Sequence, residues 1–114
     1  MAQHQSDSTV LERVAPAKEA YKPPKYQVVL HNDDYTPMEF VVKILVEVFQ
    51  RTIDDSLSLM LQVHHDGKGI AGVYVKEIAE EYVEQVKALA TENDYPLLVT
   101  MEKLASESDS KSNK

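Results

Sequence analysis

The sequence predicts a small α+β fold, three helices laid over one face of a three-stranded sheet in the order β-α-α-β-α-β. Two observations carry this reading. Three short apolar runs have strand length, and three longer segments between them repeat their apolar residues at helical spacing, with turn or cap residues at the junctions. Polar ends frame the pattern: residues 1–24 read as a flexible tail and linker, 25–104 as the folded domain and 105–114 as a disordered tail.

The first strand is expected at Tyr26 to His31, because Pro23-Pro24 favours an extended lead-in and Gln27-Val28-Val29-Leu30 continues it. Asn32-Asp33-Asp34-Tyr35 is a turn. The next residues predict a helix start by three rules: Thr36 as cap, Pro37 at the first helical position and Glu39 closing a capping box. Polar residues then fall only at Glu39, Lys43, Glu47 and Gln50, so this helix should be buried around most of its circumference. Thr52-Ile53-Asp54-Asp55 offers caps for a second helix to about His65, with Gly67 as its stop. A strand follows over Gly69 to Tyr74, its glycines implying a bend or the close approach of another backbone. The third helix, about Lys76 to Glu92, sets Ile78, Ala79, Tyr82, Val83, Val86 and Ala90 opposite Glu77, Glu80, Glu81 and Glu84. Asn93-Asp94-Tyr95-Pro96 breaks it, and Leu97 to Glu102 is the last strand.

Composition narrows the function. The chain has 114 residues, with Lys+Arg 12 against Asp+Glu 19 and a net charge of −7, and its cations are scattered. Phosphate backbones need a positive stripe, so nucleic acid is not the expected partner, whereas a cationic or amine-bearing one fits. With 0 Cys there is no thiol nucleophile, disulfide or thiolate metal site. No targeting segment or membrane-length apolar run is visible, and the expected location is the cytoplasm.

Chemistry concentrates at Asn32-Asp33-Asp34. These residues form turns by satisfying local backbone donors, yet with Thr36 available as the cap, the turn holds spare acceptors that could face a ligand. A protonated amine carries three donors and no acceptor, and converging carboxylate and amide oxygens suit it. His64 shares a helix face with Met60 and Val63, either as a half-buried histidine or at a pocket rim where its imidazole accepts from an amine. Met38 reads either as core or as a flexible gate above the turn. No metal is expected, since His64 and His65 point about 100° apart and no second cluster completes a site. A hydrolytic trio of Thr36, Asp33 and His64 lacks an oxyanion-hole motif, so no enzyme and no cofactor are expected.

The stretch Val29-Leu30-His31-Asn32-Asp33-Asp34-Tyr35-Thr36-Pro37-Met38-Glu39-Phe40-Val41-Val42 resembles the signature of ClpS, the bacterial adaptor that presents N-degron substrates to the ClpA unfoldase of the ClpAP protease. The similarity continues through Leu59 to His64, Gly67-Lys68, Gly72-Val73-Tyr74, Glu77 to Glu80 and Pro96-Leu97-Leu98. It implies an antiparallel sheet and a fold similar to the C-terminal domain of the ribosomal stalk protein. It also implies a function: binding the free N-terminal residue of substrates that begin with Leu, Phe, Tyr or Trp, and delivery to the N-terminal domain of ClpA in a bacterial cytoplasm; a monomer is simply the default expectation.

Carried over by residue, the resemblance implies that Asn32, Asp33 and His64 hold the α-amino group and that Asp34 supports the turn and nearby backbone. Thr36, Met38, Val41, Met60, Val63 and Leu97 would form the side-chain pocket, with Met38 gating against β-branched residues. Glu77 and Tyr82 would fall on the unfoldase-docking surface, although Tyr82 replaces a family lysine and its spacing points to the core. The competing reading is a scaffold domain of the same fold that binds a folded partner and has no terminal-amine pocket.

Overall fold

The strand that follows the two prolines, β1 (Lys25–His31), is the middle of the sheet. The computed structural model describes residues 22–105, so the expected tails lie outside the described residues except for 22–24 and 105. After β1 come α1 (Met38–Glu47), α2 (Ile53–Asp66), β2 (Lys68–Val75), α3 (Lys76–Glu92) and β3 (Leu98–Lys103). The order matches the expected β-α-α-β-α-β. Both β2 and β3 pair with β1 antiparallel, giving the sheet order β2-β1-β3.

Alternation along β1 sorts the two faces. Val28 and Leu30 are fully buried in one cluster with Phe40, Val41, Ile44 and Leu45 of α1, Val63 of α2 and Val83 and Val86 of α3. α1 buries Phe40, Val41, Ile44 and Leu45 and leaves Glu39, Lys43 and Glu47 exposed, along the polar stripe read from the sequence. Val29 faces the other side, beside its register partners Ile70 and Thr100. There a Gln27–Glu102 hydrogen bond of 2.8 Å and a His31 Nε2–Thr100 Oγ1 contact of 2.8 Å tie β1 to β3.

The expected capping box at Thr36 does not form. α1 begins at Met38 with Pro37 in the cap position and no side-chain cap; the Pro37 carbonyl accepts from Phe40 and Val41 instead. Thr36 belongs to the preceding turn instead, its amide and its hydroxyl both donating to the Asp33 carboxylate at 2.7 Å. At α2 the rule holds, with Thr52 accepting from the Asp55 amide at 3.1 Å. Gly67 closes α2 at φ 91, the left-handed conformation that glycine adopts without steric cost.

The glycines of β2 imply a bend without placing it, and the burial of Ser56 is not legible in the pattern. Register steps from Val28↔Gly72 to Val29↔Ile70, which leaves Ala71 as the extra residue of a bulge, and its free carbonyl accepts from Arg51 Nε at 2.9 Å. Ser56 is wholly buried on the inner side of α2, and among the described residues its hydroxyl has no partner. An unpartnered buried hydroxyl costs free energy, so Ser56→Ala is expected to raise stability by about 1 kcal/mol. Denaturant unfolding of the two chains checks this; a lower midpoint for the alanine variant refutes it.

Candidate functional site

Register at the end of β1 brings the site together. His31 pairs with Lys68 on one side and Leu98 on the other, so the preceding residues, Gly67 and Leu97, flank the turn that starts at Asn32. The Asn32 amide donates to the Gly67 carbonyl at 2.9 Å and joins the acidic turn to the C-terminal end of α2. That end carries Met60, Val63 and His64. It sits close to the sheet because Gly69 has no side chain: a Cβ there would come within 2.9 Å of Val63 Cγ2. On the opposite flank, Phe40 packs edge-on against Tyr95 with ring centroids 4.7 Å apart, which holds the start of α1 beside the segment leading to Leu97.

Asp33 organises the turn. Its Oδ1 accepts from the amides of Tyr35 at 2.8 Å and Thr36 at 2.7 Å, and its Oδ2 accepts from the Thr36 hydroxyl. The acceptors of this turn are therefore not all spare, contrary to the count made from a capping Thr36. Oδ2 keeps capacity for a further donor. Partial burial pushes the Asp33 carboxyl upward, but the Thr36 hydroxyl and the Thr36 and Tyr35 amides outweigh it and hold the group below its ordinary value of 3.8.

Asn32, Asp33, Thr36, Met38, Val41, Met60, Val63, His64 and Leu97 all line one cavity. Val41, Val63 and Leu97 are buried and make its floor, whereas Asn32, Met38 and His64 are exposed at its rim. One end of the cavity is thus carboxylate and amide, the other aliphatic and thioether. It is narrow, with about 10 Å³ of space wide enough for a water inside an envelope of about 260 Å³ that includes the open mouth.

Asp34 is exposed and does not line the cavity. His31 does, and sequence reasoning passed over it, because strand alternation assigns it to the outer face of the sheet. Glu77 and Tyr82 lie apart on α3. Glu77 is exposed in the first turn; the half-buried Tyr82 ring packs against Tyr74, with centroids 4.8 Å apart, and against Phe49 at 5.3 Å. Among the described residues, no three His, Asp or Glu side chains converge as a metal site.

The family model described as ATP-dependent Clp protease adaptor protein ClpS matches residues 21–100. The chain belongs to the ClpS family. A ClpS adapter protein of Myxococcus xanthus is 48% identical over 103 residues, covering 90% of this chain and 96% of the relative. One from Desulforapulum autotrophicum is 55% identical over 86 residues, or 75% of this chain and 82% of that one. Among solved structures, Agrobacterium tumefaciens ClpS2 bound to L-phenylalaninamide matches with a TM-score of 0.71 at 36% identity, over 73% of this chain and all of the ClpS2 chain. The ClpS sheet with its three helices is the fold described above. Among the described residues, no helix is long and apolar enough to cross a membrane.

Proposed function

We propose that the chain is a monomeric, non-enzymatic adaptor that binds the free N-terminal residue of N-degron substrates, those beginning with Leu, Phe, Tyr or Trp, and delivers them to the ClpA unfoldase of the ClpAP protease. The observation that carries the reading is the two-ended cavity, with the anionic Asp33 at one end and the Val41, Val63 and Leu97 floor at the other. L-phenylalaninamide, the ligand of the related ClpS2, has the matching halves: a free α-amino group and a benzyl side chain, with an amide where a peptide would continue.

Asp33 Oδ2, the Asn32 side-chain oxygen and a His64 ring nitrogen receive the three N–H donors of the ammonium group in this reading. Asp34 supports the turn from outside the cavity. Each bond to a charged group contributes about 1.5 to 3 kcal/mol, and burying a Leu or Phe side chain beside Thr36, Met38 and Met60 about as much again before association entropy is subtracted. Delivery uses the N-terminal domain of ClpA and the exposed face of α3 that opens at Glu77. Tyr82, held by Tyr74 and Phe49, borders that face through its ring and supplies no cation.

The deciding experiment titrates the protein into fluorescent peptides that begin with Phe, N-acetyl-Phe or Val. Tight binding to the free Phe terminus alone is expected, because acetylation removes the charge and two donors. Equal binding of the acetylated peptide would end the amine-clamp assignment and favour a scaffold contact through the helix faces.

A further inference from the structure

Helices on soluble proteins place large aliphatic side chains outward singly, and a contiguous run calls for a partner. α2 carries such a run. Ile53 is 57% exposed, Leu57 43% and Leu61 48%, at spacings of four residues that keep them on one slowly turning stripe. Met60 and His64, both lining the cavity, lie on the same side of the helix, three and seven residues after Leu57. Met38, 42% exposed at the mouth, extends the apolar surface across the rim. The stripe is therefore continuous with the binding cavity. The other outward aliphatic residues, Ile70, Val73 and Leu98 on the sheet and Ile78 on α3, belong to other elements.

A chain whose amino group is fixed at Asn32, Asp33 and His64 must leave the cavity over its exposed rim. On the side of the acidic turn the rim is charged; on the side of Met38 and Met60 it meets the stripe. At 1.5 Å rise per residue, Leu57 lies roughly 10 Å and Ile53 roughly 16 Å from His64 along the helix. An extended peptide covers those distances in roughly three to five residues. We infer that Leu61, Leu57 and Ile53 form a second contact for the bound chain, Leu57 and Ile53 accepting apolar side chains roughly three to five positions after its first residue and Leu61 continuing the contact back toward the cavity. The inference rests on the cavity being the N-terminal binding site. It makes the adaptor selective for substrates whose start is followed by apolar sequence, the kind of segment that an unfolded or partly unfolded chain exposes.

The test compares two peptides beginning with Phe, one continued only by Gly and Ser, the other with Leu at positions four to six. Each is titrated against the native chain, the Leu57→Ser/Leu61→Ser variant and the Ile53→Ser variant, with L-phenylalaninamide as the minimal ligand. The Leu-bearing peptide is expected to bind the native chain roughly five- to tenfold more tightly, an advantage lost in the double variant and reduced in Ile53→Ser, with phenylalaninamide bound equally by all three. Equal binding of the two peptides by the native chain, or an advantage that survives in the double variant, overturns the inference while phenylalaninamide still binds. Failure of phenylalaninamide to bind the native chain removes the cavity reading itself. A native dimer in light scattering that becomes monomeric in the double variant, without a difference between peptides, assigns the stripe to a second copy of the chain and also overturns it.

Discussion

Asp33→Asn is expected to weaken binding of a Phe-first peptide by roughly 10- to 150-fold, the equivalent of the 1.5 to 3 kcal/mol that a hydrogen bond to a charged group contributes, while the thermal midpoint stays nearly unchanged. The two effects separate because the carboxylate has two uses. Its Oδ1 holds the Tyr35 and Thr36 amides, a task that an asparagine carbonyl oxygen performs in the same rotamer. Its Oδ2 faces the Thr36 hydroxyl, which can turn and accept from an asparagine amide instead. What the substitution removes is the charge, and it sets N–H donors against the donors of an ammonium group. Asp33→Ala is the poorer test, since it also takes the acceptor from the turn. Affinity retained in the asparagine variant, measured by fluorescence anisotropy, would remove Asp33 from the amine site.

The same carboxylate sets a pH window. Its pKa is depressed in the folded chain, so it remains anionic as the pH falls to its ordinary value of 3.8, and whatever stability it contributes is lost only below that as it protonates. At the upper end the substrate titrates: an α-amino group near about 7.7 to 8.0 loses its proton, and affinity should fall about tenfold per pH unit above that range. A flat profile to pH 9 would argue against recognition of the charged amine.

Met38→Ala is expected to admit Ile and Val as first residues, with the preference for Leu over Ile dropping by about tenfold or more. The side chain lines the cavity and is exposed at its mouth, where a first residue passes it on entry and a β-branched one brings its branch closest to the backbone. Because Met38 is 42% exposed, its loss should cost little stability. If the ratio of Leu to Ile affinities is unchanged, Met38 is ordinary packing and selectivity lies with Met60 or the floor.

How far the sequence could be read depended on whether a residue's neighbours were local. α1 and α3 were legible because their periodicity reports burial directly, and the ends at Gly67 and Asn93-Asp94 because turn chemistry is a property of a few adjacent residues. The missing cap at Thr36 was not: the Asp33 carboxylate takes the Thr36 amide and hydroxyl into its turn, and the cap position passes to Pro37. Nor was the position of the bulge at Ala71, where only the cross-strand register shows the extra residue and only the fold brings Arg51 to its carbonyl. In the site, Asn32, Asp33 and His64 stood out by their chemistry. Thr36, Val41 and Leu97 came from resemblance alone, since nothing in a lone aliphatic residue before a strand marks it as a cavity floor.

The hydrogen bond from the Asn32 amide to the Gly67 carbonyl has a dynamic consequence. It crosses between segments thirty-five positions apart in the chain and ties the carboxylate half of the site to the helix end that carries the imidazole. Separating the two halves must break it, so the exchange rate of the Asn32 amide proton is the expected readout of that opening.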